Sequence, residues 1–183
     1  MAGMTARKLD AILARREWPL IGVAVESGTF EGDTTRLLAA RFDTVQTIEL
    51  DRVRWERCLT AFADEKRPRI HCFFGNSADI VPALAKQWSE QPVFWYLDAH
   101  YTPGARGRWK IEMAGRAQFP LWDELHALAQ RTQPDIAIVD DMHAFGRKGE
   151  WADVSQESVT EALGNRVAFC EKFGDQLVFW MKA

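Results

Sequence analysis

No apolar run in this chain is longer than a β-strand, so no segment is built to cross a bilayer. A large excess of either charge is also missing. The 26 acids and 23 lysines and arginines leave a net charge of −3, which gives no overall attraction to nucleic acid or to a membrane surface. Cysteine is sparse: Cys58, Cys72 and Cys170 are odd in number, far apart and without metal-ligand spacing. That argues against a disulfide framework or a zinc site and for reduced thiols in a cytoplasmic protein. The N-terminus carries Arg7, Lys8 and Asp10 with no apolar core after them, so a secretory leader is not expected. Repeats and low-complexity linkers are also missing. What is present is an ordinary globular composition whose 183 residues suit one domain, 1–183.

Read for periodicity, the chain alternates strands and helices. Leu9, Ile12, Leu13 and Arg16 share a helical face that ends before Pro19. Leu20 to Glu26 reads as a strand buried on both faces, and Thr34 to Phe42 as a helix. Val45 to Leu50 is the second strand, Arg52 to Asp64 a helix, and Arg69 to Phe74 the third strand. Asp79 is expected to cap a helix carrying Ile80, Leu84 and Trp88, with Pro82 in its first turn. Val93 to Leu97 is the fourth strand. Pro120 opens a helix through Arg131, Asp135 to Val139 is the fifth strand, and a helix covers Ser155 to Leu163. Arg166 to Phe173 and Gln176 to Lys182 read as a hairpin turning at Gly174-Asp175. Long loops, Thr102 to Phe119 and Met142 to Asp153, interrupt the pattern.

Five strands alternating with helices predict an α/β fold, a Rossmann-like doubly wound and mostly parallel sheet closed by an antiparallel hairpin. Ligands of such sheets bind beyond the carboxyl ends of the strands. The polar clusters Glu26 to Gly32, Glu49, Gly75 to Ser77, Asp98 to Tyr101 and Asp140 to His143 all fall at such ends. Scattered surface acids would not collect along one edge.

Each cluster has a chemical and a plain reading. The glycine turn after the first strand can bring backbone N–H groups to a ligand, or can be simply a tight turn. Glu49 suits the two hydroxyls of a ribose, or is a solvated strand end. Asp98, Asp140 and Asp141 repel one another unless protonated or neutralised, which suits Mg²⁺; alternatively they cap loops. His100 and His143 each follow an acid by two residues and can act as general base, metal ligand or loop residue, with His100 favoured. His71 and His126 read as structural. Arg106, Arg108, Lys110 and Arg116, with Arg147 and Lys148, give a cationic rim suited to an anionic acceptor, or a solvated loop. Trp109 and Trp151 lie in loops facing this edge and can stack on a ring or anchor those loops.

The terminal hairpin separates the chain from nicotinamide-binding folds. The chain resembles the class I S-adenosylmethionine-dependent methyltransferases over nearly its whole length. Val25-Glu-Ser-Gly-Thr-Phe-Glu-Gly-Asp-Thr-Thr, Ile48-Glu-Leu-Asp, Trp95-Tyr-Leu-Asp-Ala-His, Pro120-Leu-Trp-Asp-Glu-Leu and Ile138-Val-Asp-Asp look like a bacterial small-molecule group related to macrocin O-methyltransferase and FkbM-type enzymes. The resemblance implies that Glu26, Ser27, Gly28, Thr29 and Gly32 surround the methionine part of S-adenosylmethionine. Glu49 and Leu50 then hold the ribose, Asn76 and Ser77 border the adenine, and Asp98 completes the cofactor site. His100, Asp98 and His143 are the implied catalytic residues, and Asp98, Asp140 and Asp141 the ligands of a metal such as Mg²⁺. Ala117-Gln118-Phe119 stands where the family often has Gly, Thr and an acid, so acceptor identity does not carry over.

The expectation is a cytoplasmic transferase acting on an oxygen of a small molecule, an anionic sugar or polyketide type. Nucleic-acid and membrane partners are not expected, and a homo-oligomer is left open. The rivals are a nicotinamide-dependent oxidoreductase, which lacks the first glycine of its usual motif here, and a non-catalytic binding module of the same fold.

Overall fold

The computed structural model describes residues 3–15, 18–63, 69–98, 119–147 and 149–183. Its centre is a seven-stranded sheet built from β1 (Val23–Ser27), β2 (Thr44–Glu49), β3 (Arg69–Phe74), β4 (Val93–Leu97), β5 (Ile136–Val139), β6 (Val167–Phe173) and β7 (Gln176–Met181). The strand order is β3-β2-β1-β4-β5-β7-β6. The first five strands run parallel, and β7 is inserted antiparallel between β5 and β6. All five residues of β1 and of β4, and all four of β5, are buried, which explains why they read as unbroken apolar runs rather than alternating ones.

Among the described residues six helices cover the faces: α1 (Ala6–Leu13), α2 (Asp33–Ala39), α3 (Arg52–Phe62), α4 (Ser77–Gln87), α5 (Leu121–Ala129) and α6 (Gln156–Leu163). One face buries Val25, Trp95 and Phe179 with Leu84, Leu125 and Val159 from α4, α5 and α6. The other buries Ala24, Phe94 and Trp180 with Leu9 and Ile12 from α1 and Leu38 from α2. Burial on both faces is what holds a parallel sheet, since each buried large side chain contributes about 1.5–3 kcal/mol.

Several local details differ from the sequence expectations, three of them with a clear physical reason. Leu20 is 97% exposed and precedes β1, which starts at Val23; apolar character alone does not pair a strand. Asn76, not Asp79, caps α4, its side chain accepting from the Ala78 N–H at 3.0 Å, and Asp79 lies in the first turn. Pro120 stands at the cap position of α5, one residue before the helix begins.

At the amino ends of β4 and β5 a buried ionic knot holds the sheet. Asp135 accepts from Arg131 Nε at 2.7 Å, from the Val93 N–H at 2.9 Å and from Arg166 Nη2 at 3.3 Å. Arg131 also donates to the carbonyls of Ala85, Trp88 and Gln91. Every charge in the knot has a partner, the condition under which a buried ion pair is tolerated.

Candidate active site at the carboxyl edge of the sheet

Register decides which residues meet at the carboxyl edge. Ser27 pairs with Ile48 on one side and Leu97 on the other, and Leu97 pairs with Val139. Gly28, Glu49, Asp98 and Asp140 are each the first residue beyond that common row. The order of connections reverses between β1 and β4, the switch point at which a wound sheet opens a crevice. The edge is stitched by backbone bonds: Gly28 N–H and Thr29 N–H to Ile48 O, Asp98 N–H to Ser27 O, and Asp140 N–H to Leu97 O.

Within the glycine turn, Gly28 has φ 87° and Phe30 φ 51°, so a left-handed bend carries the chain out of β1. Phe30 is 54% exposed, and the Arg54 guanidinium lies 4.4 Å from its ring centre. Gly32 has φ 78°, and a Cβ there would come within 3.1 Å of the Phe62 ring. That glycine serves the packing of α2 on α3. Glu26 is fully buried behind the turn; its Oε2 accepts from Thr35 Oγ1 at 2.5 Å and Thr47 Oγ1 at 2.7 Å. Thr29 and Ser27 are buried too. Glu26, Ser27 and Thr29 therefore brace the loop from within the protein. Burial raises the Glu26 carboxyl to about 8, against the opposing pull of the two threonine hydroxyls.

Glu49 occupies the end of β2 and is 5% exposed. Its Oε2 accepts from the Phe30 N–H at 2.9 Å and its Oε1 from the Asp51 N–H at 2.7 Å. Burial raises its pKa, while those two backbone N–H groups oppose the rise. Each carboxylate oxygen retains a second lone-pair direction for a ligand hydroxyl. Leu50 sits half-buried in the bend that follows. Asn76 spends its side-chain oxygen on the α4 cap, and Ser77 is buried beneath it.

A pocket opens at the ends of β4 and β5, with a volume of about 220 Å³ counted with its mouth. Asp98, Glu124 and Asp140 supply its polar wall, and Phe119, Leu121 and Trp151 part of its apolar wall. Phe119 and Trp151 meet edge-on with ring centres 4.7 Å apart. Trp151 is thus a wall of the pocket as well as a loop anchor. Among the described lining residues there are three acids and no base. Glu124 is 1% exposed, and burial raises its carboxyl to about 7, against the hydroxyls of Ser77 and Ser27. The neighbouring Asp98 charge contributes to raising Glu26, Glu124 and Tyr96.

Among the described residues, the three aspartates take different surroundings. Asp140 is 5% exposed and turned inward, its Oδ2 accepting from the Tyr96 hydroxyl and from Gln176 Nε2, and its Oδ1 from the Asp141 N–H. Asp141 follows with φ 60° and faces the hairpin turn. Among the described residues the groups that converge within 4.8 Å are Asp141, His143 and Asp175. The expected set Asp98, Asp140 and Asp141 is not the group that converges among the described residues; Asp140 commits three acceptor positions to Tyr96, Gln176 and the Asp141 N–H while bordering the pocket.

His143 is held from two sides by Asp175 in the β6–β7 turn. Its backbone N–H donates to Asp175 Oδ1 at 2.7 Å, and its Nδ1 lies 2.6 Å from Oδ2. A carboxylate only accepts, so Nδ1 carries the proton and Nε2 is left as the basic atom. His100 and the cationic positions Arg106, Arg108, Lys110, Arg116 and Lys148, with Trp109, lie outside the described residues.

No protein-family model and no curated protein sequence matches this chain. Solved structures match it in fold. Human methyltransferase-like protein 13 in complex with S-adenosylhomocysteine aligns with a TM-score of 0.56 at 14% identity, over 98% of this chain and 82% of that one. An rRNA methylase from Streptococcus thermophilus aligns at 0.55 and 8%, over 97% and 94%. A TehB-like S-adenosylmethionine-dependent methyltransferase from Corynebacterium glutamicum aligns at 0.51 and 16%, over 97% and 85%. The fold is the class I methyltransferase fold.

In that fold two residues matter that the sequence did not mark. Glu124 is the second acid of Pro120-Leu-Trp-Asp-Glu-Leu and reads from spacing as a helical residue; an acid beside Leu121 and Leu125 on the buried side of α5 was the available signal. Asp175 reads only as a turn residue, and its partnership with His143 spans 32 positions.

Proposed function

We propose that the protein is an S-adenosylmethionine-dependent methyltransferase acting on an oxygen of a small acceptor, of the group related to macrocin O-methyltransferase. One observation carries the reading. Gly28, Glu49, Asp98 and Asp140 stand side by side beyond a common register row, beside a pocket whose described polar wall is wholly acidic. That charge suits a cofactor bearing a sulfonium and an ammonium, and opposes the diphosphate of a nicotinamide dinucleotide. The donor set therefore fits S-adenosylmethionine.

When bound, the cofactor supplies an electrophilic methyl group. The chain's own residues do the rest. Glu49 accepts from the ribose hydroxyls on lone pairs left free by Phe30 and Asp51. Asp98 provides negative charge toward the cationic end, and Glu124, raised to about 7 by burial, offers a carboxyl beside it. His143, its tautomer fixed by Asp175, takes the acceptor's proton on Nε2. His100 is a second candidate for that role. The Phe119–Trp151 pair gives the acceptor an apolar wall that limits water. The cationic residues of 102–119 favour an anionic acceptor, and the net charge of −3 favours a small molecule over RNA.

A panel of hydroxylated carboxylic acids, sugar phosphates and short RNA oligonucleotides, incubated with methyl-labelled S-adenosylmethionine, tests the acceptor class. Label transfer to an anionic small molecule is expected; transfer to RNA alone would reverse the assignment.

A further inference from the structure

The chain's cysteines are distributed unevenly in the fold. Cys170 lies on β6, at one edge of the sheet, while Cys72 lies on β3, at the opposite edge. Cys58 projects from α3, which packs over β2 and β3, and its Sγ is 2.7 Å from the Sγ of Cys72. Fourteen positions separate the two in sequence, so only the packing of α3 on β3 reveals the pair. We propose that Cys58 and Cys72 form a redox-active dithiol that closes to an intramolecular disulfide on exposure to a peroxide.

The geometry sets the roles. A disulfide needs side chains aimed at one another with the sulfurs about 2.05 Å apart, and this pair reaches that by a small inward movement. Cys72 is half-buried and Cys58 buried, so Cys72 meets the oxidant. The two sulfurs share one hydrogen bond in which either thiol can donate, so exposure decides between them, and Cys72 is the more exposed. Cys72 is therefore the attacking thiolate and Cys58 the resolving thiol. The Cys72 thiolate attacks one peroxide oxygen and breaks the O–O bond, giving a sulfenic acid and, from hydrogen peroxide, water after protonation. The Cys58 sulfur then attacks the Cys72 sulfur, loses its proton, and expels the sulfenic oxygen as a second water. Two thiols are oxidised by two electrons in total, and one peroxide is reduced to two waters.

The bond would fasten a wall of the cofactor crevice. α3 begins beside Glu49, whose Oε1 accepts from Asp51, its N-cap; Arg54 covers Phe30, and Phe62 packs on Gly32. Tying α3 to β3 restrains these contacts together. The inference does not depend on the methyltransferase reading, since its test measures no methyl transfer.

The test treats the purified full chain and its Cys170→Ser variant with equimolar hydrogen peroxide, blocks remaining thiols, and maps peptides by mass spectrometry. Expected is a Cys58–Cys72 linked peptide with loss of two hydrogens in both proteins, reversed by a dithiol reductant. Amide exchange across residues 52–62 should also slow by about tenfold or more in the oxidised form. Cross-linking through Cys170, dimers joined by Cys72, or oxygen addition at Cys72 without a linked peptide would each overturn the proposal.

Discussion

The backbone N–H of Phe30, a residue held at φ 51°, donates to Oε2 of Glu49 at 2.9 Å. A bulky side chain in the left-handed region costs about 1–2 kcal/mol, and a charge-assisted bond to a buried carboxylate offsets a cost of that size. The bond makes the acid at the end of β2 the anchor of the glycine turn, so both flanks of the crevice depend on one side chain.

Removing that carboxylate should therefore be felt twice. Glu49→Ala is expected to weaken S-adenosylhomocysteine binding about tenfold or more, and to lower stability by about 1–3 kcal/mol through the orphaned Phe30 and Asp51 amides. Calorimetric titration and denaturant unfolding separate the effects. A stability loss with unchanged affinity would leave Glu49 as a loop anchor only.

The buried acids give stability a pH dependence of unusual sign. Glu26 rises from 4.5 to about 8 and Glu124 from 4.5 to about 7. The folded state thus holds protons that the unfolded chain has released, and stability falls as pH rises from about 4.5 through 8, then levels off. Glu26→Gln should flatten this slope and raise stability at pH 8–9 by on the order of 1–3 kcal/mol, with little change near pH 4.5. Unfolding midpoints across that range are the measurement; an unaltered slope would place the proton elsewhere.

Asp135 sits at the other end of the sheet from the site, so its loss should cost stability without touching the chemistry directly. Asp135→Ala leaves Arg131 and Arg166 buried without their counter-ion and is expected to cost about 3–5 kcal/mol. Denaturant unfolding of the variant, set against Arg131→Ala and the double variant, reads the coupling. Additive losses would contradict a shared knot.

For the proposed proton transfer, His143→Ala should lower kcat by about 100-fold with KM nearly unchanged. Asp175→Asn should produce a smaller loss in kcat, because the carboxylate fixes the imidazole tautomer and orientation. Wild-type rates in both variants would transfer the role to His100.

The sheet was legible because its signal is local. Unbroken runs such as Val93 to Leu97 and the Gly174-Asp175 turn announce buried strands and a hairpin without tertiary knowledge, and the position of each acid at a strand end follows. Leu20 shows the limit of that signal, since an apolar residue beside a strand need not pair. The site was legible only as a collection of strand ends. That Asp140 accepts from Tyr96 while bordering the pocket, and that Asp141 lies by His143, depends on side-chain direction after the last paired residue. The partners Asp175, Ser27 with Glu124, and Cys58 with Cys72 are brought together by packing across distant segments, which one-dimensional spacing does not encode.

We propose above all that the acidic carboxyl edge binds an S-adenosyl cofactor. Isothermal titration of the purified protein with S-adenosylhomocysteine, and separately with NAD, tests it most directly. Expected is one site of micromolar affinity for S-adenosylhomocysteine, weakened by Glu49→Ala and by Asp98→Ala, and no heat from NAD. Saturable binding of NAD, with none of S-adenosylhomocysteine at millimolar concentration, would contradict it.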